Sequence, residues 1–443
     1  MQNIFKKIVV IVLTLEARLV LWRYEPKVIA ITGSMGKTTT KDAVYAALSS
    51  ELYVRKSEKS FNSEIGVPLT ILGLENAWKN PLRWALNICR GLLVLVGRES
   101  YPAWLVLEVG ADRPGDIRRI AQWLRSDIAV ITGVPEIPVH VEFFRSPEEL
   151  MREKRSLLEY TRQSGKLVLN GDDSRMVELC AEYKEMTITY GIGSQNHFSA
   201  ARERIIYEKG KPVGTRFRMT HRGISSSASS EEKSTVAVSM YGALGRSRTY
   251  AALAAFAVAE IAGVLSARVA PSLSEWVPLP GRMRILKGVH GSIIIDDTYN
   301  SSPAAALSAL DALKEIKVRE GARKVAVLGD MLELGKYAKE AHRNVGERAA
   351  LCADALVTVG FRARAIGEAA LDAGMPDGNI FEYEQNESER AGRELKDQLR
   401  EGDIVLVKGS QRMRMERAVE KLMAEPERVG ELLVRQEEEW RKR

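Results

Sequence analysis

The sequence predicts an α/β protein with a central parallel-sheet domain, an antiparallel appendage and a smaller C-terminal α/β domain. Three observations predict this fold. Short apolar strands alternate with helical stretches, residues 184–240 carry short runs of alternating polarity, and a proline-punctuated connector at 271–280 precedes a second alternating series. At 443 residues, 45% of them hydrophobic, the chain is long enough for two or three domains. We divide it into residues 1–25, 26–276 and 277–443.

Residues 1–25 form an apolar N-terminal segment that is basic at its start. Glu16 and Arg18 interrupt residues 4–22, and the uninterrupted run from Ile8 to Leu15 is too short to span a bilayer. No small-residue cleavage site follows, so a secretory signal is not expected. The pattern predicts an amphipathic helix, either packed on the protein or lying on a membrane surface.

The first strand, beginning at Lys27, runs into a glycine turn and then a helix. This context is typical of a P-loop-type sheet, whose loop binds the phosphates of a nucleoside triphosphate such as ATP. Ile31 stands where the common form has its first glycine, and an ordinary glycine-rich turn is the alternative interpretation. The expected phosphate-binding residues are Gly33, Ser34, Met35, Gly36, Lys37, Thr38 and Thr39.

Two polar residues follow later strands of the same sheet. Glu108 ends the strand that begins at Leu105, and His140 lies in the loop after the strand at 128–132. Because parallel strands place ligands at their carboxyl ends, Thr38, Glu108 and His140 are plausible ligands for Mg²⁺ between phosphates. A helix-capping or salt-bridged carboxylate and a satisfied loop histidine are the alternatives.

Residues 184–240 are predicted to form the antiparallel appendage, with an exposed hairpin tip at 225–234 and a helix at about 249–262. Beyond the connector, strands begin near residues 293, 324, 355 and 403. Three of these strands end in polar segments at 296–303, 329–335 and 408–410, which together favour a site over three separate helix caps. The tail from Glu425 is predicted as a charged helix.

Charge and cysteine content limit the partners of the chain. The net charge of +7 suits anionic small molecules or an acidic membrane surface, and the scattered basic residues do not predict a nucleic-acid site. The three cysteines, Cys89, Cys180 and Cys352, lie far apart without a CxxC motif, which is typical of a reducing cytoplasm. We expect a cytoplasmic monomer, with peripheral contact at the inner membrane surface as an open alternative.

The chain resembles the Mur ligases, the ATP-dependent amide ligases of peptidoglycan synthesis, and within them the MurF type. That type joins D-alanyl-D-alanine to a UDP-N-acetylmuramoyl-tripeptide. The resemblance covers about residues 26–420. It is carried by GSMGKTTTK (33–41), FNSEIGVPLT (61–70), LVLEVGADRPGDI (105–117), VHVEFF (139–144), SPEELMREK (146–154), LPGRM (279–283), DDTYNSSP (296–303), VLGDMLELG (327–335) with His342, and VKGS (407–410).

The resemblance implies a role for each matching residue. Lys37 and the loop would bind ATP phosphates, and Thr38, Glu108 and His140 would bind Mg²⁺. Lys154 matches a lysine that many members carbamylate to bind a second Mg²⁺, with an ordinary helix lysine as the alternative. Lys37, Lys154 and His140 are therefore the implied catalytic residues. Arg282, Asp297 and Asn300 would reach the nucleotide from a Rossmann-like C-terminal domain, while the residues implied near the incoming amino component are Asp330, Glu333, Lys408 and Ser410.

The implied reaction begins when an acceptor carboxylate attacks the γ-phosphate of ATP, which gives an acyl phosphate that an amine then displaces. Two departures bear on it. The sequence reaches its phosphate loop by Gly33, so we expect the uridine-binding N-terminal domain of MurF-type enzymes to be absent. The segment Ser247-Arg-Thr-Tyr-Ala251 lacks the histidine and both asparagines of the family's HNxxN motif. A polyglutamate- or pseudomurein-type ligase of the same fold, and an ATP-binding switch that ligates nothing, are the alternatives.

Overall fold

In the computed structural model, strands and helices alternate over residues 2–58, 61–78, 80–97, 100–138, 140–222 and 234–441, the residues that the structure describes. The strands are β1 (Lys27–Thr32), β2 (Val54–Lys56), β3 (Trp104–Glu108), β4 (Ile128–Ile131), β5 (Lys166–Asn170), β6 (Thr187–Gly191), β7 (Phe198–Glu208), β8 (Lys211–His221), β9 (Ser234–Tyr241), β10 (Arg284–Lys287), β11 (Ile293–Asp297), β12 (Lys324–Gly329), β13 (Ala355–Val359), β14 (Ile380–Tyr383) and β15 (Ile404–Lys408). The helices are α1 (Gln2–Tyr24), α2 (Lys37–Ser49), α3 (Gly66–Leu72), α4 (Pro81–Val96), α5 (Asp116–Leu124), α6 (Pro147–Glu159), α7 (Ser174–Glu182), α8 (Arg246–Ile261), α9 (Ser266–Glu275), α10 (Pro303–Glu315), α11 (Ala338–Ala350), α12 (Arg364–Asp372), α13 (Ser388–Lys396), α14 (Glu416–Leu422), α15 (Val429–Leu432) and α16 (Glu438–Arg441).

The first sheet has the strand order β2-β3-β1-β4-β5-β6-β7-β8-β9. Neighbours from β2 to β7 pair in parallel, and β7, β8 and β9 pair antiparallel. The predicted parallel sheet with an antiparallel appendage is confirmed. The appendage begins at β7 rather than at residue 184, because β6 lies beside β5 with Ile188 opposite Val168. The predicted hairpin tip falls outside the described residues, apart from Ser234.

Burial on both faces explains why the central strands are continuous apolar runs. In β1, Val28 and Ala30 face one core, and Ile29 and Ile31 face the other. Helices α2 and α8 pack together within the second of these cores. The sheet is therefore covered by helices on both sides, and its carboxyl edge is left for the polar residues.

The second sheet has the order β10-β11-β15-β12-β13-β14 and is parallel except for the edge strand β10. This is the predicted C-terminal α/β domain. The proline-rich connector is shorter than expected, because α9 continues through Pro271 to Glu275. Val269 and Leu273 hold α9 in place, since both are fully buried in the core of the first domain.

The two ends of the chain fold back onto the domains. The N-terminal segment is the predicted helix, α1, and it packs on α3 and α4. Among the described residues, no helix combines the length and apolar character needed to cross a membrane. The predicted charged helix from Glu425 was wrong. Up to residue 441 the tail forms a 3-10 turn and the short helices α15 and α16, because Leu432 and Leu433 turn into the core and Arg435 donates a hydrogen bond to Glu416 at 2.8 Å.

Candidate functional site

The phosphate loop connects β1 to α2 and is shaped by two glycines. Gly33 has φ of +148°, and a Cβ atom there would lie 2.0 Å from the Thr132 hydroxyl oxygen, so no larger residue fits. Gly36 is left-handed, with φ of +80°, and precedes the first residue of α2. The buried Ser34 hydroxyl between them has no hydrogen-bond partner among the described residues, as expected of a group that receives a ligand.

Thr38, in the first turn of α2, lies directly beside Glu108 at the end of β3. Its hydroxyl donates to Glu108 Oε2 at 2.9 Å, and the Asn62 amide donates to Oε1 at 3.1 Å. Glu108 is buried, so its carboxylate oxygens are fixed at the floor of the loop. A hydroxyl and a carboxylate beside a phosphate loop suit Mg²⁺, which keeps several waters and binds substrate phosphates.

The described residues contain no group of three His, Cys, Asp or Glu side chains that could hold a metal ion. Thr38 and Glu108 nevertheless fit Mg²⁺, because Mg²⁺ bound with a nucleotide takes few protein ligands. The structure therefore brings Thr38 and Glu108 together. The other two predicted ligands, His140 and Lys154, make different contacts.

His140 lines the same cavity but pairs with the other domain. Its Nδ1 atom lies 2.6 Å from Glu333 Oε2, and the hydrogen bond from His140 lowers the pKa of Glu333. His140 is left-handed, with φ of +70°, at the start of a short 3-10 turn. This contact joins the loop after β4 to the loop after β12.

Lys154 lies behind the phosphate loop, on α6. Ser146 caps this helix by accepting a hydrogen bond from the Glu149 N–H at 3.3 Å, and the Lys154 Nζ atom donates to the carbonyl of Gly33 at 3.1 Å. Burial, followed by the charge of Lys37, lowers the pKa of Lys154 well below its ordinary value. The neutral form of the amine is therefore more populated than in an exposed lysine.

Lys37 extends from the N-terminus of α2 into the cavity. Burial lowers its pKa, and the Glu108 carboxylate partly offsets that effect. An ammonium at this position faces the place where phosphate oxygens bind at a helix N-terminus.

The C-terminal domain supplies the opposite wall of the cavity. Arg282 donates a hydrogen bond to the Thr38 hydroxyl at 3.2 Å and stacks over the Tyr299 ring at 3.9 Å. Lys408 Nζ lies 2.5 Å from Asp297 Oδ2 and donates to the carbonyl of Asn300 at 3.0 Å. The three predicted nucleotide contacts, Arg282, Asp297 and Asn300, line the same cavity as the phosphate loop.

A cavity of about 330 Å³ lies between the two domains. Its walls include residues of the phosphate loop, the Thr38–Glu108 pair, His140, the three residues Arg282, Asp297 and Asn300, and Lys408. Residues 247 and 248, from the segment that departs from HNxxN, also line it. Arg248 is held by the carbonyls of Tyr241 and Trp276 at 2.8 and 3.3 Å.

Asp330 and Ser410 do not line this cavity. Asp330 is buried and accepts the Ala363 N–H at 2.7 Å, and burial raises its pKa. Ser410 accepts the Leu332 N–H at 2.9 Å. Both residues hold the loops after β12 and β15 in position, and a substrate role for them stays a prediction.

Sequence reasoning assigned no role to several residues that line the cavity, among them the polar residues Asn62, Asp112, Tyr299 and Gln411. Tyr299 and Gln411 adjoin residues that were predicted, so the signal was present. Asn62 comes from a turn, and its contact with Glu108 spans 46 residues of sequence. No local pattern identifies such a contact.

Comparisons with known proteins agree with this arrangement. The Mur ligase middle domain model matches residues 31–82 and 91–259, and the Mur ligase glutamate ligase domain model matches residues 281–411. The UDP-N-acetylmuramoyl-tripeptide–D-alanyl-D-alanine ligase of Bacillus subtilis (strain 168) is 29% identical over 408 residues, which are 90% of this chain and 76% of that one. The ligase of the same name from Mycobacterium leprae is also 29% identical, over 86% of this chain and 71% of its own.

A solved structure supports the same likeness. The MurF ligase from Thermotoga maritima in complex with ADP superposes with a TM-score of 0.73 and 25% sequence identity, covering 93% of this chain and 83% of that chain.

Proposed function

The chain belongs to the Mur ligase family, and we propose that it is a MurF-type ligase that uses ATP to join a dipeptide such as D-alanyl-D-alanine to a muramyl-peptide acceptor. The observation that carries the proposal is the cavity between the domains. There the phosphate loop and the Thr38–Glu108 pair face Arg282 and Lys408 of the C-terminal domain.

The phosphate loop and the cations around it account for ATP binding and activation. Backbone N–H groups at the start of α2 would bind phosphate oxygens, and Lys37 and Arg282 would neutralise charge as the acceptor carboxylate attacks the γ-phosphorus. That attack forms the bond from carboxylate oxygen to phosphorus and breaks the bond to ADP. Thr38 and Glu108 would hold Mg²⁺, which adds positive charge at the phosphates when bound.

The amine of the second substrate then attacks the acyl carbon and displaces phosphate, leaving an amide. Water competes for the acyl phosphate, so the cavity has to be closed during this step. The contacts of Arg282 with Thr38 and of His140 with Glu333 join the domains around the cavity and serve this purpose. The ion pair between Lys408 and Asp297 holds together the ends of β15 and β11, which form the cavity wall in the C-terminal domain.

Lys154 belongs to the proposal as a candidate for carbamylation. Because burial lowers the pKa of Lys154, its neutral amine, the form that attacks carbon dioxide, is favoured. The resulting carbamate would place a negative charge beside the phosphate loop and would supply oxygen ligands for a second Mg²⁺. Intact-mass measurement of the peptide containing Lys154, in bicarbonate and in its absence, tests this step. We further propose that the protein works as a cytoplasmic monomer.

The direct test of the ligase function measures phosphate release and the product mass. Phosphate should be released only when ATP, a muramyl-tripeptide acceptor and D-alanyl-D-alanine are all present, with one amide product per phosphate. The Lys37→Ala variant should lose about 10²-fold or more in turnover, whereas the matched exposed-lysine variant Lys396→Ala should retain it.

The pattern of substrate dependence separates the alternatives. Phosphate release that does not depend on the acceptor or on the dipeptide would contradict the ligase function and favour an ATP-binding switch. Release that requires glutamate or a different acceptor would place the chain with another branch of the family.

A further inference from the structure

Helices α1 and α4 carry apolar surface that the rest of the described chain does not cover. On α1 the side chains at i, i+3 and i+4 spacing form one exposed stripe: Phe5, Ile8, Ile11, Leu15, Leu19 and Trp22. Trp22 is 78% exposed, which is unusual for so large an apolar side chain. The opposite face of α1, with Val9, Leu13 and Val20, is buried against the protein. The helix is therefore apolar on two sides, and packing explains only one of them.

Helix α4 repeats this pattern beside α1. It begins with a capped turn, since the Asn80 side chain accepts the Leu82 and Arg83 N–H groups at 3.0 and 3.1 Å. Trp84 and Gly91 face the protein. Its exposed stripe consists of Leu82, Leu86, Leu92, Leu93 and Val96, of which Leu82 is 80% exposed.

The two helices pack against each other, so their stripes are neighbours on one side of the molecule. The Tyr24 hydroxyl donates to the carbonyl of Val94 at 2.8 Å, and a Cβ atom on Gly91 would meet the Glu16 carboxylate. We call the two stripes with their flanking basic residues the α1–α4 surface. Contiguous exposed apolar surface of this kind marks a binding partner or a membrane.

Charge decides which partner fits. The described residues of α1 and α4 include six basic residues and one acidic residue, Glu16, which is buried. Lys6 lies 3.6 Å from Glu64, while Lys7, Arg18 and Arg90 are exposed alongside the stripes. A second copy of the chain would bring like charges together, whereas a bilayer with anionic headgroups offers both apolar depth and negative charge.

We propose that the α1–α4 surface docks the protein onto an anionic lipid bilayer, with the two stripes in the interface and the basic side chains among the headgroups. No described helix can span a membrane, so the helices lie along the surface. The proposal does not depend on the ligase reaction, because none of these side chains lines the cavity.

Vesicle co-sedimentation of the full chain tests the proposal. The protein should bind vesicles of equal parts phosphatidylglycerol and phosphatidylcholine at least tenfold more tightly than vesicles of phosphatidylcholine alone, and added salt should weaken that binding. The double variant Leu86→Gln/Leu93→Gln should lose about tenfold or more in affinity. The matched control Leu351→Gln/Leu371→Gln changes two leucines that are also exposed, at 62% and 47%, but lie in the C-terminal domain, and it should bind like the parent.

A second readout locates the contact. Brominated lipids should quench part of the tryptophan fluorescence of the parent, and Trp22→Phe should remove that part while its ATP turnover is unchanged. Failure to bind anionic vesicles, equal loss in the control variant, or quenching that survives Trp22→Phe would each overturn the proposal. A stable dimer without lipid that Leu86→Gln/Leu93→Gln dissociates would overturn it in favour of a second copy.

Discussion

Hydrogen bonds from Thr38 and Asn62 fix the orientation of the Glu108 carboxylate, one to each oxygen. The carboxylate is thereby positioned to bind a metal ion. We predict that Glu108→Gln raises the Mg²⁺ concentration for half-maximal activity by about tenfold or more, because an amide is a weaker ligand than a carboxylate. A Mg²⁺ titration of ATP turnover measures the change. Glu178→Gln, an exposed change on α7, should leave the titration unaltered. Reduced activity with an unshifted titration would assign Glu108 a structural role.

Glu16 is a second carboxylate with an unusual environment, because neither of its oxygens has a hydrogen-bond partner among the described residues. Burial raises its pKa to about 7. The folded protein then binds this proton more tightly than the unfolded chain, so the stability is full below the ordinary carboxyl pKa and falls as the pH rises toward about 7.

Glu16→Gln should therefore raise the melting temperature at a pH of about 8 and change it little at a pH of about 4. Glu347→Gln, at an exposed position on α11, is the control and should show no such pH dependence. Equal effects of Glu16→Gln at both pH values would mean that Glu16 is not buried as an unpaired acid.

The residues that sequence could identify are those at the ends of strands. Lys37, Thr38 and Glu108 follow from the rule that parallel strands present ligands at their carboxyl ends, and the structure brings them together. Asn62 could not be found in this way, because its position depends on how the turn before α3 packs. The contact between His140 and Glu333 was hidden for a similar reason, since it depends on the relative placement of two domains.

At the scale of single elements, two adjacent residues of α6 have different roles. Lys154 faces the phosphate loop, while the preceding Glu153 accepts hydrogen bonds from the N–H groups of Gly115, Ile117 and Arg118 at the start of α5. A carboxylate at a helix N-terminus accepts hydrogen bonds from N–H groups that have no partner within the helix, and it interacts favourably with the helix dipole. Glu153 thus fixes the position of α5 beside the site.

We predict that Glu153→Ala destabilises the protein by about 3 kcal/mol, because one buried and two partly buried N–H groups lose a charged acceptor. Urea unfolding measures the loss. Glu159→Ala removes an exposed carboxylate, 3.5 Å from Arg155, from the same helix and should cost less than about 0.5 kcal/mol. Similar losses for both variants would show that helix propensity, and not the cap, is responsible.

Helices and strands could be predicted where the apolar pattern of the sequence was strong. They could not be predicted where tertiary contacts determine whether a segment is helical. The apolar central strands of both sheets were predicted, whereas the short edge strands β2, β10 and β14 were not. Residues 271–275, the second half of α9, were assigned to the connector because of Pro271, yet Val269 and Leu273 bury the helix against the first domain. The tail after Glu425 was taken for a helix because of its charge, but the buried pair of Arg435 and Glu416 bends it back.

For the whole molecule, the relation between the two domains determines whether the cavity is closed. His140 and Glu333 are each about one-third exposed, so their contact is partly screened by water and contributes modestly. Since His140 lowers the pKa of Glu333, the stabilisation is present above the ordinary carboxyl pKa of 4.5 and is lost as the pH falls below it. At neutral pH the contact therefore favours closure.

We predict that His140→Ala and Glu333→Gln each lower kcat/KM by a similar factor, and that the double variant is little worse than either. A coupling of about 0.5–1 kcal/mol is expected for a pair that acts as one contact. Glu142→Gln, an exposed carboxylate on the same loop as His140, is the control and should leave kcat/KM unchanged. The Mg²⁺ titration distinguishes a metal-ligand role of His140 from a role in domain closure. If His140 binds Mg²⁺, His140→Ala should shift the titration and Glu333→Gln should not. Additive losses in the double variant would show that the two residues act independently, and closure would then depend on the contact between Arg282 and Thr38 instead.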